Sequence, residues 1–260
     1  MTPAPPTVLT IAGSDAGGGA GIQADLRTFQ ARGVHGTSVL TAVTSQNTRH
    51  VSAVHAVPIG HIRSQLSAVF ADYPVAAVKT GMLGSAAIVR LVARELRRRQ
   101  PPWLVVDPVM IASSGTRLLD EDAVATIRDE LIPLTDILTP NVPEAETLLD
   151  MRIRTAKQFD DAAAVLLQLG ARAVLLKGGH TRGDDIVDRF YDSRGQLEIR
   201  HPRLPLEGHG TGCTLAAAIA AELARNRAPR TAVQRAVVYV QRALAQGYRP
   251  GGGDVLVLRH

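Results

Sequence analysis

Cysteine, lysine, aromatic side chains and long apolar runs are all scarce in this chain, and each scarcity excludes something. The 260 residues hold one cysteine, Cys213. An intramolecular disulfide is therefore excluded, and a reducing compartment suits the chain. Aromatics make up 3% of the residues, so a core must be assembled from Val, Leu, Ile and Ala. No apolar run reaches the ~18 residues that a bilayer-crossing helix needs. Residues 1–6 carry neither a basic region nor an apolar run to follow it, so no secretory leader and no membrane partner are expected, and the expected location is cytoplasmic. Of the 29 basic residues only Lys79, Lys157 and Lys177 are lysines. The arginines are spread along the chain, and their one dense cluster, Arg97 to Arg99, ends a predicted helix, where cations complement the dipole. With a net charge of +5 but no nucleic-acid-reading motif, no nucleic-acid partner is expected. A basic surface suits small phosphorylated anions instead.

What is present is an alternation of short apolar runs and longer amphipathic stretches. The runs Thr7–Ala12, Gly36–Val43, Ala76–Lys79, Trp103–Asp107, Asp136–Leu138 and Ala173–Leu176 predict strands. Helical patterns separate them at Ile22–Ala31, Gly60–Ala71, Ala86–Arg99, Glu121–Leu131 and Ala156–Leu169. Such alternation calls for an α/β fold with a mostly parallel sheet covered on both faces. The segments Ile186–Tyr191 and Leu197–Arg200, joined by Asp192-Ser193-Arg194-Gly195, read as a hairpin at the sheet edge. Two helices, Thr211–Arg225 and Pro229–Gln246, close the chain. With no low-complexity linker and no internal repeat, one domain over residues 1–260 is the simplest account.

Ligands of parallel sheets sit beyond the carboxyl ends of the strands, and here those ends are rich in glycine and polar residues. After the first strand, Gly13 to Gly21 lead into a helix in which Gly19-Ala20-Gly21-Ile22-Gln23-Ala24 matches a dinucleotide fingerprint. The acid that such a fingerprint requires after the second strand is missing, and no Gly-Lys-Ser/Thr follows. A loop whose glycines let the backbone approach a small substrate, with Asp25 one turn into the helix to grip it, fits better. A plain flexible turn is the structural alternative. Gln46 offers both an amide donor and an acceptor, which match the ring nitrogen and amino group of an aminopyrimidine, and Met82 offers an adaptable apolar wall. Taken singly, each is an ordinary loop or core residue.

His209-Gly210-Thr211-Gly212-Cys213-Thr214 precedes a uniformly apolar helix. Free backbone N–H groups at a helix start, made accessible by two glycines, form an anion site of the kind that steadies a moving phosphoryl group. Cys213 would lie in the first turn, where the helix dipole is expected to lower a thiol pKa below ~8.5 and make it a base toward a substrate hydroxyl. The alternative is a small buried cysteine beside a capping threonine. Lys177, followed by two glycines at a strand end, is placed to reach a phosphate. Asn141-x-x-Glu144 follows another strand, and Glu144 is a candidate for holding Mg²⁺ through water, against the simpler reading of an acid at a helix N-terminus. Asp107, at a strand tip, is a second candidate for that metal. The eight histidines are scattered without metal-ligand spacing, and no G-x-S-x-G follows a strand.

In order along the chain, these segments resemble the hydroxymethylpyrimidine/phosphomethylpyrimidine kinases of thiamine biosynthesis, in the ribokinase superfamily. The resemblance rests on Thr10 to Asp15 with Gly18 to Asp25, Gln46-Asn47-Thr48 and Lys79-Thr80-Gly81-Met82-Leu83. It continues through Asp107-Pro108-Val109-Met110, Thr139-Pro140-Asn141-x-Pro143-Glu144-Ala145, Lys177-Gly178-Gly179-His180 and His209 to Thr214. It implies a three-layer sandwich in which ATP phosphorylates the pyrimidine hydroxymethyl group and then the monophosphate. It also implies that Gly13, Asp25, Gln46 and Met82 bind the pyrimidine, and that Gly210, Thr211, Gly212 and Cys213 form the anion hole with Cys213 as base. Lys177 would join them in catalysis, and Asp107, Asn141, Glu144, Lys177 and Thr211 would serve Mg·ATP. A homodimer is implied by the resemblance alone.

Two departures stand out. The chain reaches its hairpin soon after His180, so the flap that commonly follows looks short, and the C-terminus at Gly251–His260 lacks a longer tail. The nearest rival is a pyridoxal/pyridoxine kinase. Rivals from other classes are a nicotinamide oxidoreductase, suggested by Gly19 to Ala24, and a non-catalytic pyrimidine-binding protein.

Overall fold

The computed structural model describes residues 3–112, 115–180 and 183–260. In chain order its elements are β1 (Thr7–Asp15), α1 (Gly21–Ala31), β2 (His35–Gln46), β3 (Val51–Ala56), α2 (Ile59–Asp72), β4 (Val75–Thr80), α3 (Ala86–Arg99), β5 (Leu104–Val106) and α4 (Glu121–Thr126). There follow β6 (Ile137–Leu138), α5 (Val142–Leu149), α6 (Ala156–Gln168), β7 (Val174–Leu176), β8 (Asp185–Asp192), β9 (Gly195–Pro202), β10 (Gly208–His209), α7 (Thr211–Ala224), α8 (Pro229–Ala245) and β11 (Leu256–Val257). Nine strands form one sheet in the order β3-β2-β1-β4-β5-β6-β7-β8-β9. The six strands from β2 to β7 in that order are parallel. Antiparallel pairing attaches β3 at one edge and the β8–β9 hairpin at the other.

Because strand side chains alternate between faces, each short apolar run feeds two cores. Leu9 and Ile11 join α2 to α6 on one face, whereas Val8, Val105, Ile137 and Leu175 join α1, α7 and α8 on the other. The expected three-layer arrangement follows from this parity. Local signals set several boundaries. Ser85 caps α3 through the N–H of Ile88, Asn141 and Glu144 form a capping box at α5, and Thr155 with Gln158 does the same at α6.

The helix α7 is buried around its whole circumference, Thr214 to Ala224, as a helix apolar on all sides requires. Its one charged residue, Glu222, is fully buried. The carboxylate of Glu222 accepts from the guanidinium of Arg32 and from Arg235 Nε, the latter at 2.7 Å. The Arg97–Arg99 cluster is engaged locally, with Arg98 2.7 Å from Glu95 and Arg99 over the Phe70 ring. No helix among the described residues is long and apolar enough to cross a membrane.

Three differences from the sequence expectations have physical causes. The pattern Glu121–Leu131 is α-helical only to Thr126 and then widens into a π turn over Ile127–Leu131. The exposed β3 and the two-residue β10 and β11 carry too little pattern to be recognised. The short α5 is disguised by Pro140 and Pro143, although proline is compatible with a helix's first turn. The short flap expected after His180 falls at residues 181 and 182, outside the described residues.

Candidate functional site

A cleft of about 800 Å³ opens at the carboxyl ends of the parallel strands. It is lined by Gly13, Gln46 and Met82 on one side, by Asp107, Asn141, Glu144 and Lys177 on the other, and by Gly210 to Cys213 between them. Eleven of the twelve positions singled out in the sequence thus meet here; Asp25 does not.

The floor is the start of α7. Gly210 has φ +78°, and a Cβ there would stand 2.0 Å from the Gly19 carbonyl oxygen. Only glycine permits both the left-handed turn and this approach of the first glycine loop. The Thr214 N–H closes the first helical turn on the Gly210 carbonyl (2.9 Å), which leaves the N–H groups of Thr211, Gly212 and Cys213 outside the helix's own ladder. The α carbon of Gly212 faces the polar wall, for a Cβ there would lie 3.3 Å from Lys177 Nζ.

On that wall Lys177 Nζ lies 3.0 Å from Asp107 Oδ1 and 3.6 Å from Glu144 Oε2. Burial alone would lower the Lys177 ammonium, but Asp107 and Glu144 outweigh it and hold the pKa above the ordinary lysine value. Burial pushes the Glu144 carboxyl up to about 7 against the pull of Lys177. Glu144 Oε2 also accepts from the Asn141 N–H (2.8 Å), while Asn141 Oδ1 accepts from the Glu144 N–H (2.8 Å). The capping role and the position facing the cleft therefore coexist. Two carboxylates share one ammonium, an excess of negative charge that fits a hard divalent cation met through water. Among the described residues, no group of three or more His, Cys, Asp or Glu forms a metal cage.

The opposite rim is organised by Asp15. Its carboxylate accepts from the N–H groups of Gly17 (2.8 Å), Gly19 (3.0 Å) and Ala20 (2.8 Å) and from His209 Nε2 (3.0 Å). Burial works against the ionised form, yet the His209 bond and the backbone donors hold the Asp15 pKa below its usual range. The loop's N–H groups are thus spent on a side chain of the protein, which removes the pyrophosphate cradle that the dinucleotide reading of Gly19 to Ala24 needs. Strand β1 slips register against β2 between Ala12 and Ser14, a bulge that re-aims the backbone at Gly13 beside the cleft. Met82 is nearly buried at 8% exposure, and its carbonyl accepts from Thr41 Oγ1 (2.6 Å).

Two sequence expectations are corrected here. Asp25 does not grip a ligand at the rim. It lies wholly buried behind it, with Oδ1 and Oδ2 at 3.0 and 2.9 Å from Lys79 Nζ and with Thr10 Oγ1 donating at 2.6 Å. The turn of α1 directs Asp25 into the sheet, where a carboxylate persists only with a partner. The Cys213 thiol is not lowered by the helix start. Burial pushes it up to about 11, with Lys79 opposing and Asp25 and Asp107 reinforcing the rise.

Sequence reasoning also missed two residues as contributors. Lys79 is a lysine inside an apolar strand of a lysine-poor chain, the same rarity that singles out Lys177. His209 stands in the glycine motif, but its partner Asp15 is 194 positions away, a separation that local pattern cannot bridge.

Comparison with known proteins agrees with this geometry. The family model for phosphomethylpyrimidine kinase matches residues 15–257. The chain is 48% identical over 252 residues to a thiamine biosynthesis bifunctional protein of Geobacter sulfurreducens, covering 96% of this chain and 51% of that one. It is 46% identical over 250 residues to a hydroxymethylpyrimidine/phosphomethylpyrimidine kinase of Streptomyces coelicolor, covering 96% and 92%. The chain therefore spans about half the length of the bifunctional relative and most of the other. Among solved structures, an ADP complex of Bacillus subtilis pyridoxal kinase superposes with a TM-score of 0.90 at 33% identity, covering 99% of this chain and 98% of that one. A phosphomethylpyrimidine kinase from Clostridium difficile 630 gives 0.82 at 42% identity, covering 92% and 99%.

Proposed function

This chain belongs to the phosphomethylpyrimidine kinase family, and from that premise we propose that it transfers a phosphoryl group from ATP to hydroxymethylpyrimidine and then to the resulting monophosphate, for thiamine biosynthesis. The observation that carries the reading is a convergence. A helix start with free N–H groups lies between a buried lysine–carboxylate wall and an amide-bearing rim, all in one cleft. Gln46, Met82 and Gly13 hold the heteroaromatic ring. The N–H groups of Thr211, Gly212 and Cys213 take up charge on the moving phosphoryl oxygens, and Lys177 steadies the same oxygens as a point charge.

Glu144, with Asp107 and the turn capped by Asn141, would hold Mg²⁺ against the nucleotide phosphates. When bound, the ion would neutralise phosphate charge as the terminal bond breaks. Cys213 stands at the floor, where the substrate hydroxyl must lose its proton. With its own proton retained up to about pH 11 in this state, the thiol must first release that proton to solvent, and only the minor thiolate so formed takes up the hydroxyl proton, late in transfer. A loose transition state, in which the attacking hydroxyl is deprotonated late, suits that order.

A second reading has a specific observation behind it, because the pyridoxal kinase of Bacillus subtilis superposes over nearly the whole chain. A coupled assay of ATP consumption with hydroxymethylpyrimidine, its monophosphate and pyridoxal separates the two. Turnover of both pyrimidines is expected. Turnover of pyridoxal alone would transfer the assignment to the vitamin B6 reaction, and ligand binding without ATP consumption would leave a binding protein.

A further inference from the structure

The Nε2 atom of His209 faces two neighbours at once. It lies 3.0 Å from Asp15 Oδ2 and 2.9 Å from Nε2 of the Gln46 amide. The other terminal atom of that amide, Oε1, lies 3.2 Å from Thr44 Oγ1, which is itself 3.0 Å from the Ser14 carbonyl oxygen. Counting hydrogens decides how these groups are arranged.

An imidazole nitrogen carries either one hydrogen or one lone pair, and an ionised carboxylate only accepts. Facing Asp15, which is 3% exposed and already accepts three backbone N–H groups, Nε2 must bear the hydrogen. An amide NH₂ turned toward that same nitrogen would set donor against donor. The Thr44 hydroxyl likewise has one hydrogen, and the Ser14 carbonyl can only accept it. The Thr44 oxygen is then left as an acceptor, which an amide oxygen cannot satisfy. The two ends of a glutamine amide have nearly the same shape, and the surrounding hydrogen bonds decide which is which. Turning the Gln46 amide half a revolution matches both contacts together.

We propose that His209 is a positioning residue whose Nε2–H, fixed by Asp15, holds the Gln46 amide with its oxygen on the imidazole and its NH₂ toward Thr44 and the cleft. One amide hydrogen goes to Thr44. The second is available to an acceptor atom such as the ring nitrogen of a heteroaromatic substrate. Gln46 then selects substrates by donating, and a unit built from Asp15 and His209 sets that polarity. The unit also ties substrate recognition to the anion hole, because His209 immediately precedes Gly210. The choice of ligand rests on the kinase reading above, whereas the protonation pattern does not.

The test has two arms that fail separately. In protein labelled with ¹⁵N in its histidine rings, the His209 signal, identified by its loss in His209→Gln, should show hydrogen on Nε2 at neutral pH. A neutral ring protonated on Nδ1 alone would overturn the proposal, whatever the substrate. In kinetics with hydroxymethylpyrimidine, His209→Gln places an amide NH₂ close to the original Nε2–H and should keep KM for the pyrimidine within about threefold. His209→Ala leaves Gln46 and Asp15 short of a donor and should raise that KM roughly 10-fold or more, with KM for ATP little changed. Equal pyrimidine KM values for the two variants, or an ATP KM that rises in step, would reduce His209 to loop packing. A parent protein inactive on the pyrimidine would count against the activity, with the ring-nitrogen result still deciding the tautomer.

Discussion

The thiol of Cys213 loses its proton only near pH 11 in the folded chain, so the sole cysteine of this protein is sluggish despite its place in a cleft. Alkylation by iodoacetamide at pH 8, followed by intact mass, should run roughly 10- to 100-fold slower than for a free cysteine and accelerate toward pH 11. A rate matching free cysteine at pH 8 would refute the raised value. Because the folded value lies above the free value of 9.0, the thiol leaves stability untouched below about pH 9, lowers it progressively from there to about 11, and leaves that loss in place above. The second residue-scale expectation concerns Asp25 and Lys79, both with no exposed surface. Lys79→Met strands a buried carboxylate and should cost about 3–5 kcal/mol in urea denaturation. Adding Asp25→Leu should recover much of that loss. If the two losses simply add, the residues do not act as a pair. The sequence shows both residues but not their pairing, since Lys79 and Asp25 lie 54 positions apart. Spacing along a helix therefore assigns Asp25 to the ligand when it belongs to the sheet.

At the scale of elements, the helix start at Gly210 is the most demanding piece of backbone. Gly210→Ala meets both a left-handed φ and the Gly19 carbonyl, so either the loop or the first turn of α7 must move. A strained backbone of this kind costs about 1–3 kcal/mol, visible as a lower melting temperature. The displaced N–H groups should lower kcat by a factor on the order of 10²–10³, as loss of an oxyanion donor does. A variant that melts early but turns over normally would separate the glycine from the anion hole. The strands were legible because their apolar runs are short and flanked by glycine and polar residues. The helices α1, α3 and α6 were legible from their amphipathic period. The small sheet of β10 and β11 was not, because two residues carry no period and their pairing joins His209 to Val257 across 48 positions.

For the whole molecule, the parity of the sheet places one core under α2 to α6 and another under α1, α7 and α8. The scarcity of aromatics is met by alanine-rich packing, most of all in α7, where Ala216, Ala217, Ala218, Ala220 and Ala221 are fully buried. The order of glycine-rich strand ends marks where the cleft lies, since parallel strands deliver all their carboxyl ends to one edge. It could not tell which polar residues turn inward to support the others. Glu222, held by Arg32 and Arg235 near the far end of α7, matters most at this scale. It ties down the same helix whose other end forms the cleft floor. On the proposed kinase reading, a floor held in this way presents its N–H groups already in place for an incoming phosphoryl group.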